Sequence, residues 1–422
     1  MKKTIAMVLA GGRVDELSVF TIHRPKSAMP FGGLYRIIDF PLSNLMNSGI
    51  ERVGILSQYR SDSLINHIGS GASWDMVGSQ RGISLLPPMK GTRSSDWYTG
   101  TADAVYQNLE FINRNDSDYV LILSGDHIYQ MDYQKLIQFH EEQKAQISLA
   151  FVQMNEPSLD RFGQGVIDNT SKYGGRLLHY VEKPNETISD WVSMTIYLFN
   201  RRVLNQVLES EMKRGCDHFG RDLFPHILDR YHIVGYKFRG YWGYSRTIEE
   251  YWQANMELLT ESSPLQIEQW NVRTNLFNEN LHERAPSLVG SSALLLNSLV
   301  YNGCIIEGSV ENSILFPGVR IGAGSTVRDS ILMYDTVVHS GAVVDKTITD
   351  VEVEIGEGAH VGRTANGSQV ADGSASSPDI TIIGRNSRVP SHYHIGSGCV
   401  IYPNKVETDF PSQSMPAKRI LQ

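Results

Sequence analysis

The first residues that could do chemistry follow an apolar segment near the start of the chain. Residues 4–10 lead into Gly11 and Gly12, and two cations, Arg13 and Lys26, come after them. A glycine pair at a strand end lets backbone N–H groups approach phosphate oxygens, because no Cβ stands in the way. The cations could neutralise a triphosphate and a departing pyrophosphate. This pattern is typical of a phosphate-binding loop, although an ordinary turn with surface cations has the same sequence features.

Two further motifs place charged residues directly after apolar segments. Asp126 follows residues 119–125, and Glu182 and Lys183 stand in the motif VEKP. A carboxylate at a strand end can hold Mg²⁺, a hard cation that prefers oxygen ligands. Taken alone, such an aspartate is also a common turn residue and such a lysine a common solvated one. Only their joint occurrence with the opening loop favours a functional site.

The elements that must position these residues alternate between strands and helices up to about residue 260. Apolar, β-branched segments predict strands at residues 4–10, 52–57, 119–125, 147–154 and 195–200. Helical apolar spacing predicts helices at residues 64–71, 101–115 and 131–145. This alternation predicts an α/β domain with a mostly parallel sheet covered on both faces. Since ligands of such sheets bind beyond the carboxyl ends of the strands, we expect the site in the loops after Ala10 and Ser124.

The second half of the chain has a different period. Five related units begin with a branched aliphatic residue, and a small residue follows at a turn: residues 321–327, 338–344, 355–361, 383–389 and 395–401. The first three units begin 17 residues apart, close to the length of three hexapeptides. Stacked units of this kind bury a continuous aliphatic column, so they predict a parallel β-helix. The polar Gly/Ser-rich segment 363–379 is expected to be a loop that projects from it.

The composition limits the class of protein. The chain has 422 residues, more than one core usually serves, and a formal net charge of −8. This acidic balance argues against nucleic acid or an anionic membrane as a partner. No apolar segment approaches the ~20 residues that span a bilayer. Cys216, Cys304 and Cys399 are too widely spaced for a disulfide framework, which favours a cytoplasmic location.

Longer motifs resemble those of a known family. Residues 25–59 contain FGGLYRIIDFPLSNLMNSGI, and WYTGTADAVYQN, LILSGDHIYQMDY, VEKP and HFGRDLFPHIL follow in order. The series resembles the sugar-nucleotide pyrophosphorylases, and its first motif is similar to the ADP-glucose pyrophosphorylase (glucose-1-phosphate adenylyltransferase) branch. The resemblance implies a Rossmann-like nucleotidyltransferase domain over residues 1–260, a linker over 261–290 and a left-handed β-helix over 291–422.

The same resemblance implies a reaction and its participants. ATP and glucose 1-phosphate would give ADP-glucose and pyrophosphate with Mg²⁺, for the synthesis of glycogen or a related glucan. Such a transfer needs positioning and charge neutralisation more than covalent chemistry. The resemblance also implies a tetramer, built from identical subunits or with a paralogous subunit, and a metabolite effector.

Roles for individual residues follow from their positions in the motifs. The implied catalytic residues are Arg13, Lys26 and Asp126, with Asp126 as the Mg²⁺ ligand; the nucleotide side comprises Gly11, Gly12, Tyr98 and Gly100; and glucose 1-phosphate meets Glu182, Lys183 and Ser193. These roles rest on the resemblance and not on spacing alone.

Several positions depart from the family pattern within this expected site. They are Val14 and Glu16 in the opening loop, Met89 and Thr99 on the nucleotide side, Thr195 in the sugar pocket, and Tyr244 and Arg246 where the family has an Asp and a Gly. Val14 resists positive φ and so predicts a changed path of the loop. Glu16 replaces an Arg, and each unit of charge at ~4 Å is worth about 4 kcal/mol at an effective dielectric constant near 20. Tyr244 replaces a metal-binding Asp by a phenol, a poor ligand for Mg²⁺.

These departures leave alternatives beside an active ADP-glucose synthase. One is a catalytically weak or silent regulatory subunit of such an enzyme. Another is a pyrophosphorylase for a different nucleoside triphosphate or sugar phosphate, which changes at Met89 and Thr195 would suit. A further alternative is a β-helix acyltransferase that uses His392 or His394 as its base.

Overall fold

A computed structural model describes residues 2–12, 14–88, 97–155, 159–168, 171–277, 281, 283–362, 379–411 and 414–422. The chain forms two compact units that are not contiguous in sequence. The first, called here the sheet unit, comprises Met1–Gly12, Ile38–Gly243 and Ile267–Arg273. The second, the β-helix unit, comprises Arg13–Ile37, Tyr244–Gln266 and Thr274–Gln422. The boundaries expected at residues 260 and 290 follow the order of the motifs along the chain and stay a prediction.

The regular elements up to residue 259 are mostly short. The strands are β1 (Thr4–Leu9), β2 (Pro30–Phe31), β3 (Tyr35–Arg36), β4 (Arg52–Leu56), β5 (Gly82–Leu86), β6 (Tyr119–Ser124), β7 (Ile128–Tyr129), β8 (Ile147–Gln153), β9 (Gly163–Ile167), β10 (Gly174–Glu182), β11 (Trp191–Asn200), β12 (Ile233–Phe238) and β13 (Trp242–Gly243). The α-helices are α1 (Asp39–Asn47), α2 (Asp62–Ile68), α3 (Thr101–Gln107), α4 (Leu109–Arg114), α5 (Tyr133–Glu142), α6 (Arg201–Glu211), α7 (Phe224–Ile227) and α8 (Ile248–Met256). Single 3-10 turns include Asp15–Thr21, Lys26–Ala28, Ala72–Trp74, Met212–Arg214, Glu257–Leu259 and Ile267–Trp270, and Phe219–Leu223 is a π-helical turn.

The sheet unit is organised around one mixed sheet of nine strands, in the order β5-β4-β1-β6-β11-β8-β12-β10-β9. Strands β5, β4, β1 and β6 are parallel, whereas β11 runs antiparallel to both β6 and β8. All five predicted strands are present as β1, β4, β6, β8 and β11, and the predicted helices as α2, α3 with α4, and α5. The α/β class is therefore confirmed. The sheet, expected to be mostly parallel, is evenly mixed, because β12 is parallel to β8 but β10 is antiparallel to both β12 and β9.

The central strands show why their sequences are nearly continuous apolar runs. Residues Ile5–Val8 of β1 and Val120–Leu123 of β6 are completely buried, as expected for strands that are covered on both faces. Aromatic side chains fill one side of the sheet, namely Phe151, Tyr180, Tyr197, Phe199, Phe219 and Phe224. Burying each of them contributes about 1.5–3 kcal/mol.

The order of the strands creates one preferred place for a ligand. From β1 the chain proceeds outward to β4 and β5, and then returns to β6 on the other side of β1. Such a reversal opens a crevice beyond the carboxyl ends of the two strands. The loops after β1 and β6, which contain Gly11, Gly12 and Asp126, begin at this edge.

The β-helix unit contains three parallel sheets of short strands, consistent with the expected left-handed β-helix. The first face comprises Leu288–Val289, Ile305–Ile306, Arg320–Ile321, Val337–Val338, Glu354–Ile355 and Arg388–Val389. The second comprises Leu294–Leu296, Ser309–Glu311, Thr326–Arg328, Val343–Asp345, His360–Gly362, His394–Ile395 and Ser414–Met415. The third comprises Leu299–Val300, Ile314–Leu315, Ile331–Leu332, Thr347–Thr349, Thr381–Ile383, Val400–Ile401 and Ile420–Leu421.

The five sequence repeats do not all stack on the same face. Ile321, Val338 and Ile355 pair in register on the first face, whereas Ile383 lies on the third and Ile395 on the second. Each hexapeptide forms one side of a three-sided coil, so repeats that are not separated by a whole coil fall on different sides. The predicted loop 363–379 lies outside the described residues, apart from Asp379.

Two segments from the first 266 residues complete the β-helix unit. In one, the guanidinium of Arg24 forms an ion pair with Asp350, and both side chains are buried. In the other, Trp252 of α8 donates from Nε1 to the backbone O of Asp329 at 2.8 Å. The β-helix therefore anchors parts of the chain that precede it by as many as 326 residues.

Two expectations from the sequence, one about disulfide bonds and one about membrane spans, can be compared with the fold. Cys216, Cys304 and Cys399 are buried free thiols, as their spacing predicts. Among the helices of the described residues, none has the length and apolar character needed to cross a membrane.

Candidate functional site

The loop after β1 brings backbone atoms, rather than side chains, to the carboxyl edge of the sheet. The N–H of Ala10 donates to the backbone O of Leu56 at 2.9 Å. A Cβ on Gly11 would lie 2.8 Å from the backbone N of Gln58, while a Cβ on Gly12 would meet no atom within 4 Å. Packing therefore requires a glycine at the first position, and the second leaves open space for a ligand.

The loop after β6 presents a partly exposed carboxylate at the same edge. Strands β1 and β6 end in register, with Leu9 opposite Ser124. The hydroxyl of Ser124 donates to Oδ1 of Asp126, and Nε2 of His127 lies 3.4 Å from the same oxygen. The buried His127 ring packs edge-on against Trp242 at 5.0 Å. A carboxylate held in one orientation by a hydroxyl and an imidazole has the chemistry that Mg²⁺ favours.

A second carboxylate stands at the end of β10. Glu182 pairs with Gly163 of β9, and its Oε2 accepts a hydrogen bond from the hydroxyl of Tyr180 at 2.7 Å. A Cβ on Gly163 would lie 2.6 Å from this oxygen, and one on Gly220 would collide with it. The carboxylate thus occupies a cradle between two glycines that no larger residue could form.

Strand β11 contains a bulge near Ser193, where it pairs with β8. Ser193 pairs with β8, but the register shifts before Tyr197, and Thr195 between them has a φ of 53°. A β-branched residue is rarely found in this left-handed region and stores strain there. Lys183 also has a positive φ, of 48°, and its exposed side chain follows β10 directly. The backbone at position 195 therefore has a conformation that a glycine adopts more readily than a threonine.

The loop before α3 lies against the loop after β4. The N–H of Tyr98 donates to Oε1 of Gln58 at 2.6 Å, the residue that also limits space at Gly11. Burial raises the pKa of Tyr98 to about 12, so its hydroxyl is neutral at physiological pH. A Cβ on Gly100 would collide with the backbone O of Asp217. Gly100 therefore permits the close approach of two loops, a structural requirement that the motif alone does not reveal.

The opening loop continues into the β-helix unit along a path without positive φ at Val14. Its φ is −125°, and the left-handed conformation occurs instead at Ser18, with a φ of 50°. That this loop follows a path different from the family's loop stays a prediction. Arg13 and Met89 lie outside the described residues.

Lys26 belongs to the β-helix unit, and it contacts residues that depart from the family pattern. Its buried ammonium lies 4.8 Å from the centre of the Tyr244 ring. Nη1 of Arg246 donates to the hydroxyl of Tyr244 at 3.1 Å, and Nε of Arg246 donates to Oε1 of Glu16 at 3.0 Å. The three departures at positions 16, 244 and 246 therefore form one connected group around Lys26.

A different group of side chains brings a thiol, an imidazole and a carboxylate within 4.8 Å of one another. Sγ of Cys216 lies 3.0 Å from Nδ1 of His226, with Glu211 nearby. However, Arg230 donates to Oε1 of Glu211 at 2.6 Å, and Arg214 lies 3.6 Å from Oε2. Burial, followed by the negative charge of Glu211, raises the pKa of the Cys216 thiol. This cluster is a neutralised structural network.

The expected site residues divide between the two units. Those at the carboxyl edge of the sheet unit are Gly11, Gly12, Tyr98, Gly100, Asp126, Glu182, Lys183 and Ser193, and Lys26 lies in the β-helix unit. Sequence reasoning did not select Gln58 or His127, and only the position of His127 beside Asp126 could have drawn attention to it. His394 pairs with His360 on adjacent coils, with exposed rings 6.1 Å apart. Such an exposed ladder gives the acyltransferase alternative no support.

Comparisons with known proteins agree with the fold. The sequence profile of the family described as Nucleotidyl transferase matches residues 5–261, and that of GlmU-like, C-terminal hexapeptide matches residues 287–383. The chain is 42% identical to a glucose-1-phosphate adenylyltransferase of Thermotoga maritima over 419 residues, which cover 98% of this chain and 97% of the relative.

Two clostridial relatives of the same name are similar over a shorter region. The protein of Clostridium novyi is 42% identical over 329 residues, covering 77% of this chain and 84% of the relative. The protein of Clostridium beijerinckii is 43% identical over 330 residues, covering 77% and 83%.

Proposed function

Because this chain belongs to the glucose-1-phosphate adenylyltransferase family, we propose that it transfers the adenylyl group of ATP to glucose 1-phosphate. The products would be ADP-glucose and pyrophosphate. The observation that carries this proposal is the crevice beyond β1 and β6, where the backbone of Gly11 and Gly12 and the carboxylate of Asp126 share one edge. Crevices at such a reversal of strand order are where open α/β sheets bind nucleotides.

In this proposal the backbone after β1 receives the phosphates. The absence of a Cβ at Gly12 leaves room within 4 Å for phosphate oxygens, and backbone N–H groups are suitable donors for them. A phosphate oxygen of glucose 1-phosphate attacks the α-phosphorus, and the bond to the pyrophosphate oxygen breaks. Lys26 and Arg13 are proposed to stabilise the charge that develops on the departing pyrophosphate.

Asp126 is the residue proposed to hold Mg²⁺. Its carboxylate is oriented by Ser124 and His127, and Mg²⁺ commonly combines one or two carboxylates with substrate phosphates and water. Binding of Mg²⁺ by Asp126 therefore does not require a second aspartate at the position of Tyr244. When bound, the ion would neutralise phosphate charge during transfer.

Glu182, Lys183 and Ser193 are proposed to bind the sugar phosphate. Glu182 and Ser193 lie near the same end of β9, on its two edges, since Glu182 pairs with Gly163 and Val192, the neighbour of Ser193, pairs with Gln164. A cradled carboxylate can accept sugar hydroxyls, and an exposed lysine can meet the phosphate. Thr195 at the bulge would limit the space beside them.

The decisive experiment is pyrophosphate release by the purified protein with glucose 1-phosphate, Mg²⁺ and each of ATP, UTP, GTP and dTTP. We expect turnover with ATP, and a loss of about 10²–10³-fold for Asp126→Asn, comparable to removing one oriented group from a transition state. Glu110→Gln, which changes an exposed carboxylate of α4, is the control and should match the parent. Turnover with another triphosphate alone would contradict the proposed substrate.

A regulatory subunit without turnover is the second candidate, and one observation favours it. The family's second metal-binding carboxylate is replaced by Tyr244, whose ring contacts Lys26. This candidate predicts that the protein binds ATP or glucose 1-phosphate but releases no pyrophosphate with any triphosphate. Isothermal titration beside the release assay separates the two candidates.

Assembly into a tetramer, through identical or paralogous subunits, is part of the proposal, as is a cytoplasmic location. The first coil of the β-helix supports it, because Leu288, Leu294 and Leu296 are exposed there. Exposed apolar edge strands are natural surfaces for pairing with another chain. Light scattering of the parent and of Leu294→Lys would test this, with dissociation expected for the variant. No residue described here indicates which metabolite would act as an effector.

A further inference from the structure

Four side chains of the β-helix unit form a continuous series of contacts: Glu16, Arg246, Tyr244 and Lys26. The carboxylate of Glu16 meets Nε of Arg246 at 3.0 Å. Nη1 of Arg246 meets the hydroxyl of Tyr244 at 3.1 Å, and the ammonium of Lys26 lies 4.8 Å from the centre of the same ring. Two cations and one carboxylate leave this series with a formal charge of +1.

Tyr244 organises both cations, but it neutralises neither of them. Its hydroxyl accepts a hydrogen bond from Arg246, and the negative face of its ring attracts Lys26. Two positive groups on one neutral side chain repel each other. A polyanion that approaches this series could accept charge-assisted hydrogen bonds from the half-exposed guanidinium.

The backbone of Arg246 is fixed before any ligand arrives. Oε2 of Glu250 accepts a hydrogen bond from the N–H of Arg246 at 2.8 Å. The same oxygen accepts the N–H of Thr247 in the capping box of α8, in which the hydroxyl oxygen of Thr247 accepts the N–H of Glu250. The guanidinium therefore extends from an ordered helix start, and only its side chain has to move to change partners.

The ion pair between Arg246 and Glu16 is one in which another anion can replace the carboxylate of Glu16. Their side chains are 32% and 46% exposed, and half-exposed ion pairs of this type contribute little to stability because water and salt compete with them. A phosphate chain carries more charge than one carboxylate and offers the bidentate acceptor that a guanidinium prefers. Glu16 can therefore be displaced by a polyphosphate at small cost.

We infer that Arg246 is a polyphosphate-binding residue of this chain, that Tyr244 positions it beside Lys26, and that Glu16 occupies it until the ligand binds. The ligand class is the triphosphate of a nucleotide or the pyrophosphate released from it. This inference rests on the proposed function for the identity of the ligand. The substitution of a metal-binding carboxylate by Tyr244 thus accompanies the gain of a cation at position 246, and Glu16 becomes an internal competitor.

The test uses the full chain and two readouts. Binding of inorganic tripolyphosphate and of ATP is measured by isothermal titration, and KM values for ATP and glucose 1-phosphate are measured where turnover occurs. Arg246→Ala should weaken tripolyphosphate and ATP binding about tenfold, the value of one charge-assisted contact, and leave the KM for glucose 1-phosphate unchanged. Glu16→Gln should strengthen tripolyphosphate binding by roughly two- to fivefold, as expected for removing an exposed competitor.

Matched variants separate positioning from folding. Tyr244→Phe removes the hydroxyl that holds Arg246 and keeps the ring over Lys26, so it should weaken binding less than Arg246→Ala. Arg246→Lys keeps the charge and should recover part of the loss. Glu16→Gln should lose its advantage in the Arg246→Ala background, since no guanidinium remains to be released.

Each outcome decides the question. Equal tripolyphosphate affinity for the parent, Arg246→Ala and Glu16→Gln would overturn the inference, and so would the absence of binding to the parent. If Arg246→Ala does not fold, Glu16→Gln and Arg246→Lys carry the test by themselves. Binding that responds to these variants in a protein without turnover would support the inference while contradicting the proposed catalysis.

Discussion

Arg24 and Asp350 are 326 positions apart in the sequence, yet they form an ion pair in which the side chains are only 6% and 1% exposed. Oδ1 of Asp350 also accepts the N–H of Val351 at 2.8 Å. Arg24 precedes Lys26 by two residues, so this pair fixes the segment that bears a proposed catalytic lysine. Asp350, the partner of Arg24, lies directly before a turn of the β-helix.

Removing one partner of this pair should destabilise the protein strongly. Asp350→Ala leaves a buried guanidinium without its carboxylate, and we expect a loss of about 3–5 kcal/mol in the free energy of unfolding. Glu354→Ala is the matched control, because its pair with Arg388 is 43% and 61% exposed and should contribute about 0–1 kcal/mol. Urea denaturation measures both, and equal losses would contradict the prediction.

The two glycines after β1 should respond differently to alanine. A Cβ at Gly11 would press on the backbone of Gln58, so Gly11→Ala should cost about 1–3 kcal/mol of stability. Gly12→Ala has open space and should fold like the parent, but weaken ATP binding by filling the proposed phosphate position. Thermal unfolding and ATP titration of the two variants test this, and a stability loss confined to Gly12→Ala would refute it.

Replacing Thr195 by glycine should increase the stability of the protein. The residue has a φ of 53°, which costs a non-glycine residue about 1–2 kcal/mol, and glycine regains most of this at the expense of a more flexible unfolded chain. We expect Thr195→Gly to be about 1 kcal/mol more stable than the parent. Thr195→Ala keeps a Cβ in the strained conformation and should show little gain when denaturation midpoints are compared.

His140 should make the protein sensitive to mild acid. Burial lowers its pKa to about 4, while the neutral ring is held between Ser148 at 2.7 Å and Asn200 at 3.2 Å. The unfolded chain binds the proton at a pKa near 6.5, so stability is fully present above that pH and is lost as the pH falls from about 6.5 to 4. The loss should total about 3 kcal/mol.

The variant His140→Gln isolates this contribution. It cannot take up a proton, so its stability should fall less than that of the parent between pH 6.5 and 4. His179→Gln, at an exposed position of β10, is the control and should follow the parent. Parallel pH profiles for all three proteins would contradict the assignment.

The sequence predicts the buried strands well because both of their faces are covered. β1, β4 and β6 are unbroken apolar runs, and such runs leave few alternatives to a central strand. β10 was not predicted, since it begins with two glycines and its exposed residues interrupt the alternation. Helix 101–115 divides at Asn108, where the side-chain amide donates to the backbone O of Ala104 and interrupts the helical pattern.

The residues of the candidate site could be predicted from the sequence motifs, but the contacts between them could not. Motif order selected Asp126 and Glu182, whereas the partners that orient them, Ser124 and Tyr180, follow only from the fold. Glu16 and Arg246 are 230 positions apart. In the sequence, each of them is a separate departure from the family pattern. Only their contact in the fold shows that the negative charge gained at position 16 is paired with the positive charge gained at position 246.

The composition of the β-helix unit has a consequence for recombination between related genes. Because Arg13–Ile37 and Tyr244–Gln266 fold with the β-helix, a single crossover near residue 260 would pair Arg24 and Trp252 with a foreign surface. A functional chimera would have to inherit three separate stretches of the gene from one parent. A chimera joined near residue 260 should therefore lose stability relative to both parents, because the contacts of Arg24 and Trp252 with the β-helix would come from different proteins.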